Sequence, residues 1–445
     1  MFSNFAGAWS AFITALALSL GAGSRAFGLI FAAAPIVAFS QVLGPMLLPL
    51  FGCSRRRLVV AASAAARGII FVIPAVALWL EPRAALALLV ACFLASQVFT
   101  GVMTNVWTSW IGAIVPARVR GRFLGRRMQL MTALGLVVAF AASLLKDLSG
   151  PGGETGLTGF LRRSFGLAGG LWGAGGERYA FLIIYTFAVA AGLASTLLLL
   201  RQRDRPAPSV PFSLRSLGEP LRDGGFRRFV YFFAWWSFAA AFGSPFWQPF
   251  YLKELRMSLT AVQIYSSIFV IAMAATATGW GRLIDRFGNK PVFRALIFLA
   301  TANAFVYVFM RPDLYWWVWL EAGTSGAMWA GATVATINFI MGLSPEAKRD
   351  NYVAVYAVVA GASGLVATIG SGQFVAMLPR YVSLGGWQLL NMKVAFLMTA
   401  AFRLAAQVPM YLVQEPRAAP FGHMVRAVAA EARLWFLRLR PGVGK

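Results

Sequence analysis

Gly281-Arg-Leu-Ile-Asp285-Arg286-Phe-Gly288-Asn-Lys290-Pro291 lies between two long apolar runs, and its reading decides the fold. A compact cluster of Asp, Arg and Lys closed by glycines is what a tight turn between two membrane helices requires. The glycines allow a sharp bend, and the charges hold the turn out of lipid. Outward from this stretch the chain is 59% hydrophobic and only 12% charged, with a mean hydropathy of +0.70. Soluble domains keep roughly a quarter of their residues charged, so a large soluble fold is excluded. Apolar runs of about 20 residues recur along nearly the whole sequence, each long enough to cross a hydrocarbon core of roughly 30 Å.

The net charge of +25 raises a nucleic-acid reading, which the placement of the charge opposes. Lys and Arg concentrate in alternate loops and in the tail, the pattern of positive residues on the cytoplasmic side of a membrane. Cys53 and Cys92 give neither a disulfide framework nor a metal spacing. The only histidine, His423, lies in the tail. No G-x-x-x-x-G-K-[ST] loop appears, so ATP drive by this chain is unsupported. No nucleophile–base pair or metal cluster is visible either. The expectation is therefore a non-enzyme without cofactor and without nucleic-acid partner. The first apolar run begins almost at Met1 without a basic leader and reads as a span, not a cleaved signal.

Twelve spans fit, at about 4–21, 26–51, 58–80, 84–115, 127–146, 179–200, 227–251, 260–281, 290–310, 314–343, 351–378 and 389–413. The expected fold class is an all-α integral membrane protein of two pseudo-symmetric six-helix bundles. Residues 1–200 form the first bundle, 201–226 a cytoplasmic linker, 227–414 the second bundle and 415–445 a basic amphipathic tail. An even count places both termini on one side, and the basic loops 52–57, 116–127, 201–228 and 282–294 make that side the cytoplasm. Thr260 with Gln263 reads as a capping box opening the eighth span. Residues 147–178 form a glycine-rich insert on the outer side, read as a surface excursion or as a loop ordered over the cavity. Pro116–Gly125 aligns with Pro345–Ala354, and the loop at Gly52 with the loop at Gly288. Two halves with matching loops are the trace of two bundles able to rock about a central site.

The spacing G-x-x-x-D-R-x-G-x-K, with the span count, charge bias and linker, resembles the major facilitator superfamily of transporters over essentially the whole chain. Trp107-Thr-Ser-Trp110, Val115-Pro116 and Arg120-Gly-Arg-Phe-Leu-Gly-Arg-Arg127 look like a group of bacterial members of unassigned substrate. The first-half copy of the loop departs from the pattern. Pro49 stands where the acid belongs, and the basic end is Arg55-Arg56-Arg57. In the family the loop acid lies at the amino end of a helix in the opposite half. The resemblance thus implies a cytoplasmic gate built from Gly281, Asp285, Arg286, Gly288 and Lys290, with Asp285 facing Arg122, Arg126 and Arg127. The degenerate loop would present Arg55–Arg57 to Glu346 and Asp350. Loop orientation by charge alone is the competing reading.

Ionisable groups near a span centre cost roughly 2.5–3.5 kcal/mol on insertion scales, so each needs a reason to be there. Arg67, Glu321 and Arg403 are such groups. The resemblance puts the first, fourth, seventh and tenth spans around the cavity. Glu321, about two turns from the outer end of the tenth, suits a group that binds a proton on one side and releases it on the other. A structural pair with Arg403, or a reach back to the interface, stands beside that reading. Arg67 reads as a snorkelling or structural residue, and Arg403 as a structural partner or a solute contact. Asn105, Trp107 and Thr108 on the fourth span, with Trp236, Trp247 and Gln248 on the seventh, could grip a solute by stacking and hydrogen bonds.

The expected function is a secondary active transporter moving a small organic solute by alternating access, with coupling to a proton gradient resting on Glu321. Efflux is one direction and uptake the other. The expected partners are the solute and the lipid bilayer, with the chain a monomer in a bacterial inner membrane. A non-transporting membrane assembly factor of the same fold is the alternative.

Overall fold

The computed structural model describes residues 2–73, 80–150, 156–167, 170–172, 176–202, 204, 218–314, 316–345, 349–416 and 418–439. The chain runs through α1 (Phe2–Ala6), α2 (Ala11–Ser19), α3 (Ser24–Phe31), α4 (Ala33–Ser40), α5 (Leu43–Leu47), α6 (Arg55–Ile70), α7 (Pro82–Ile114), α8 (Ala117–Ser149), α9 (Gly156–Phe165) and α10 (Gly176–Leu200). After the residues around 205–217 it continues through α11 (Gly224–Phe242), α12 (Ser244–Pro249), α13 (Leu259–Phe287), α14 (Asn289–Val306), α15 (Trp317–Leu343) and α16 (Arg349–Met377). A hairpin of β1 (Tyr381–Leu384) and β2 (Trp387–Leu390) precedes α17 (Asn391–Ala405), α18 (Gln407–Leu412) and α19 (Phe421–Leu439).

Among the described residues seven helices are long and apolar enough to cross a membrane. The bent pair Ser24–Ser40 and Leu43–Phe51, broken by 58°, makes an eighth if counted as one span. The expected count of twelve is thus met only in part: residues 74–79 of the expected third span, 58–80, lie outside the described set, and two other expected spans are broken. The first expected span is interrupted at Gly7–Ser10, where the Ser10 hydroxyl donates to the Phe5 carbonyl at 2.7 Å. In the seventh, Gly243 and Pro245 separate α11 from α12. Pro249, which has no N–H, is followed by a π-turn over Phe250–Glu254.

Two further expectations are corrected. The cap of α13 is Ser258, whose hydroxyl accepts the Ala261 N–H at 3.1 Å, and not Thr260. The chain is not wholly α-helical either. Gly385 and Gly386 take φ values of +56° and +85°, the left-handed pair that a two-residue hairpin turn demands, and Tyr381 pairs with Leu390 across it.

Packing differs between the two ends of the bundle. One end carries the arginines at the start of α6, at the start of α8 and at the end of α13, and is called the basic end below. At the opposite end a single apolar cluster is continuous from Phe5, Phe12 and Phe31 to Phe246, Tyr307 and Phe396. At the basic end the clusters separate. One, around Leu58, Val102 and Trp110, belongs to helices before residue 201, and another, around Phe229, Phe293 and Phe339, to helices after it. Helix α8 follows the same gradient. Its side chains from Met128 to Met131 are exposed, whereas Gly135, Ala139, Ser143 and Asp147 are buried.

Candidate transport site and its gates

The closed end is held by backbone and polar contacts across the two parts of the chain. The Asp147 carboxylate, in the last turn of α8, accepts the N–H groups of Leu259 and Thr260 at 3.0 and 2.7 Å. These are free donors at the start of α13, where a negative charge is stabilised by the helix dipole. Thr14 on α2 donates to Gln248 Oε1 at 2.7 Å, and Gln248 Nε2 donates to the Trp9 carbonyl at 3.0 Å. Helices α3 and α16 meet through glycines. A Cβ placed on Gly28 would lie 2.8 Å from the Thr368 carbonyl oxygen and 2.9 Å from Gly372 Cα.

The glycine-rich insert is tied to the same place. The Arg162 guanidinium on α9 is buried and donates to the Asp147 and Gly150 carbonyls, while Lys146 pairs with Glu177 at 3.3 Å. An arginine on the last carbonyls of α8 compensates the negative end of that helix. The insert is therefore ordered where it is described, although residues 151–155, 168–169 and 173–175 fall outside the described set.

At the basic end, the loop 281–291 has a different set of partners from those the resemblance implied. Gly288 has φ +93°, and a Cβ there would meet Ala418 at 2.9 Å. Glu415 accepts the N–H groups of Asn289 at 3.0 Å and Lys290 at 2.7 Å, capping α14. Lys290 Nζ donates to the Tyr411 and Val413 carbonyls, and Arg286 pairs with Glu431 of α19. The tail thus docks against this loop as an ordered helix. Gly281 has open space around it.

Asp285, Arg122 and Arg126 are exposed and form no ion pair among the described residues. Arg127 stacks over the Trp107 ring, 4.2 Å from its centroid. In the other loop, Arg56 donates to the Leu200 and Gln202 carbonyls at 3.3 Å each, and Ser54 bonds Asp204. The Asp350 side chain and all of Glu346 lie outside the described set.

Glu321 is 6% exposed, in the second turn of α15. The hydroxyls of Tyr265 on α13 and Tyr307 after α14 both donate to its Oε2, at 2.8 and 2.6 Å, and the Tyr251 hydroxyl bonds that of Tyr307. Arg403, equally buried, donates to the Ala300 carbonyl at 2.9 Å, and its Nε has no partner. Glu321 and Arg403 come into no ion pair within 4 Å. The arrangement is a carboxylate gathered by phenols inside the second group of helices. Both hydroxyls go to the same oxygen, so the other oxygen of the carboxylate takes no part in these two bonds.

The remaining candidates are spread out. Asn105 is half-buried against Gly44 of α5, and Thr108 is exposed with its hydroxyl on the Thr104 carbonyl. Trp236 is buried against Phe293 and Trp329. Trp247 stacks on Phe396 at 4.1 Å and touches Tyr307, so it joins the Glu321 cluster. Of the seventh-span candidates, Gln248 is the one bonded to the first group of helices. Arg67 bonds Thr196 on α10 and lies over the Phe2 ring.

Sequence reasoning passed over Asp147, Thr14, Trp9 and the three tyrosines. A signal existed for Asp147, since an acid in the last turn of a helix opposes the dipole and needs an outside donor.

A model of the Major Facilitator Superfamily matches residues 1–368 and again 228–437. The chain belongs to that superfamily. Solved structures similar to this superfamily member include the nucleoside transporter NupG, at 14% identity and a TM-score of 0.64, covering 93% of this chain and 97% of that one. A D-xylose–proton symporter follows, at 13% identity and TM-score 0.61, covering 94% of each chain. A bacterial homologue of the human lysosomal transporter Spinster, inward-facing and unoccupied, matches at 14% identity and TM-score 0.54, covering 90% and 96%. At these identities the likeness carries the fold. No protein of curated function matches the sequence. The fold and the family make this a membrane solute transporter.

Proposed function

We propose that this chain is a secondary active transporter that moves a small, uncharged or weakly charged organic solute by alternating access, coupled to protons through Glu321. The two moving bodies are residues 1–200 and 227–414, joined by 201–226 and followed by the tail 415–445. The basic end faces the cytoplasm of a bacterial inner membrane, with both termini there, because arginine-rich turns remain on that side during insertion. The observation that carries the reading is the asymmetry of packing. The two bodies share one apolar cluster and several cross-bonds at the Asp147 end and have separate clusters at the basic end. That is the form expected of the inward-open member of a two-state pair.

Asn105, Trp107, Thr108, Trp236, Trp247 and Gln248 are the proposed solute contacts, and neutral hydrogen-bonding groups with indoles favour a neutral ring-bearing solute. Gly281, Asp285, Arg286, Gly288 and Lys290, with Arg122, Arg126, Arg127 and Asp350, form the proposed cytoplasmic gate. The test is flux into proteoliposomes with and without an imposed proton gradient, on a panel that starts with nucleosides and pentoses. Uptake that needs the gradient in the native chain and loses that need in Glu321→Gln supports the reading. Binding of a membrane complex with no flux for any solute overturns it in favour of an assembly factor.

A further inference from the structure

Asp147 and Asp285 occupy matching places in two long helices. Asp147 lies two residues before the end of α8 at Ser149, and Asp285 two residues before the end of α13 at Phe287. Each carboxylate therefore sits at the negative end of its own helix dipole, where it is unfavourable without donors from elsewhere. The two helices run in opposite directions across the bundle, since the end of α8 meets the start of α13. The carboxyl end of each helix thus lies at the level where the other begins. Among the described residues only the first of these two meetings is seen. Asp147 is buried on the first N–H groups of α13, whereas Asp285 is exposed and unpaired among the described residues.

We propose that Asp147 and Asp285 are alternating latches on one helix pair, with Asp147 capping α13 when the basic end is open and Asp285 capping the start of α8 when it is closed. The proposal rests on the alternating-access reading, and the new assignment is Asp147 as the latch of the outer gate. A helix of 29 residues is a rod of roughly 43 Å, so a tilt of α13 against α8 that closes one end parts the other. Both caps cannot be made together. Arg162 is the positioning residue of this latch. Its guanidinium holds the last carbonyls of α8, the Asp147 carbonyl among them, and so fixes the turn from which the carboxylate projects.

The experiment measures spin-label distances in the full chain in lipid, with Cys53→Ser and Cys92→Ser as background. One label pair, Gly125→Cys with Gly279→Cys, reports the basic end. The other, Gly23→Cys with Gly370→Cys, reports the opposite end. A Cβ at any of these four glycines has no neighbour within 4 Å. Asp147→Asn keeps one acceptor oxygen and removes the charge. It is expected to move the ratio of the two states about fivefold to thirtyfold toward opening at the Gly23–Gly370 end, the scale of charge-assisted bonds at a helix start.

Asp285→Asn shifts the ratio the other way, and the double variant returns toward the native distribution. A purely structural role for Asp147 would lower the folded yield without that opposite shift and without the compensation. Should Asp147→Asn fail to fold, Arg162→Lys loosens the same latch without removing the carboxylate, and shifts the ratio in the same direction. The proposal is overturned if these Asp147-end variants leave both distances native while Gly28→Val, which crowds the α3–α16 contact, changes them. If no variant, Gly28→Val included, moves either distance, alternating access itself fails.

Discussion

Replacing Glu321 separates its charge from its hydrogen bonds. In the native protein one carboxylate oxygen accepts two phenolic hydroxyls at 2.8 and 2.6 Å, and the residue is buried. Glu321→Ala leaves both donors without their acceptor, at about 1–3 kcal/mol each, and adds a small cavity. The loss is about 2–6 kcal/mol. Glu321→Gln offers an amide oxygen at the same place, which accepts both hydroxyls, so most of that loss is avoided. The apparent melting temperature of detergent-purified protein, followed by fluorescence-detected gel filtration, should therefore fall strongly for Ala and by less than half as much for Gln. The same two variants should differ in transport. Gln keeps the packing and loses the proton dependence, whereas Ala loses folded protein first. Equal stability of all three proteins would refute the phenol cage as a source of stability. Equal losses for Ala and Gln would show that the charge, not the acceptor, holds the site.

Three further outcomes are expected. Gly28→Val introduces a side chain 2.8 Å from the Thr368 carbonyl, and overpacking of about 1–3 kcal/mol should lengthen the Gly23–Gly370 distance while the chain still folds. Gly288→Ala forces a left-handed residue against Ala418, costing about 1–3 kcal/mol, and should make the tail after Glu415 cleavable by protease at lower concentrations than in the native protein. Arg67→Ala removes the bond to Thr196 and the cover over Phe2. It should reduce thermal stability by about 1–3 kcal/mol with KM for any transported solute unchanged, and a changed KM would place Arg67 in the solute path.

The membrane class, the family and the tight glycine turn at Gly288 were legible in the residues, because hydropathy, glycine conformation and charge placement are local properties, whereas the docking of the tail on that turn was not. The gate expected at the basic end, with Asp285 on a helix start in the other half, is not among the contacts of the described residues. What the sequence did not reveal was that such a contact stands at the far end of the same two helices, made by Asp147. Which partner a carboxylate finds depends on the tilt of whole helices, and no local pattern encodes that. The helix count shows the same limit. Runs such as 4–21 and 227–251 are apolar enough to span. In the structure each is broken, at Gly7–Ser10 and at Gly243–Pro249. Thr260 and Ser258 are both plausible caps by composition, and the extended backbone of Ser258 selects between them. Glu321 was singled out for its burial cost. Its tyrosines come from three separate segments, and only the fold brings them together.

The hairpin tip at Gly385–Gly386 offers a way to read sidedness directly. Both glycines are exposed, with no neighbouring atom within 4 Å of where a Cβ would stand. Lengthening such a loop costs only about 0.6 kcal/mol for each doubling of its length, so a short epitope inserted there should leave the helices beneath undisturbed. An antibody added to intact cells stripped of their outer wall would then bind only if that tip looks away from the cytosol.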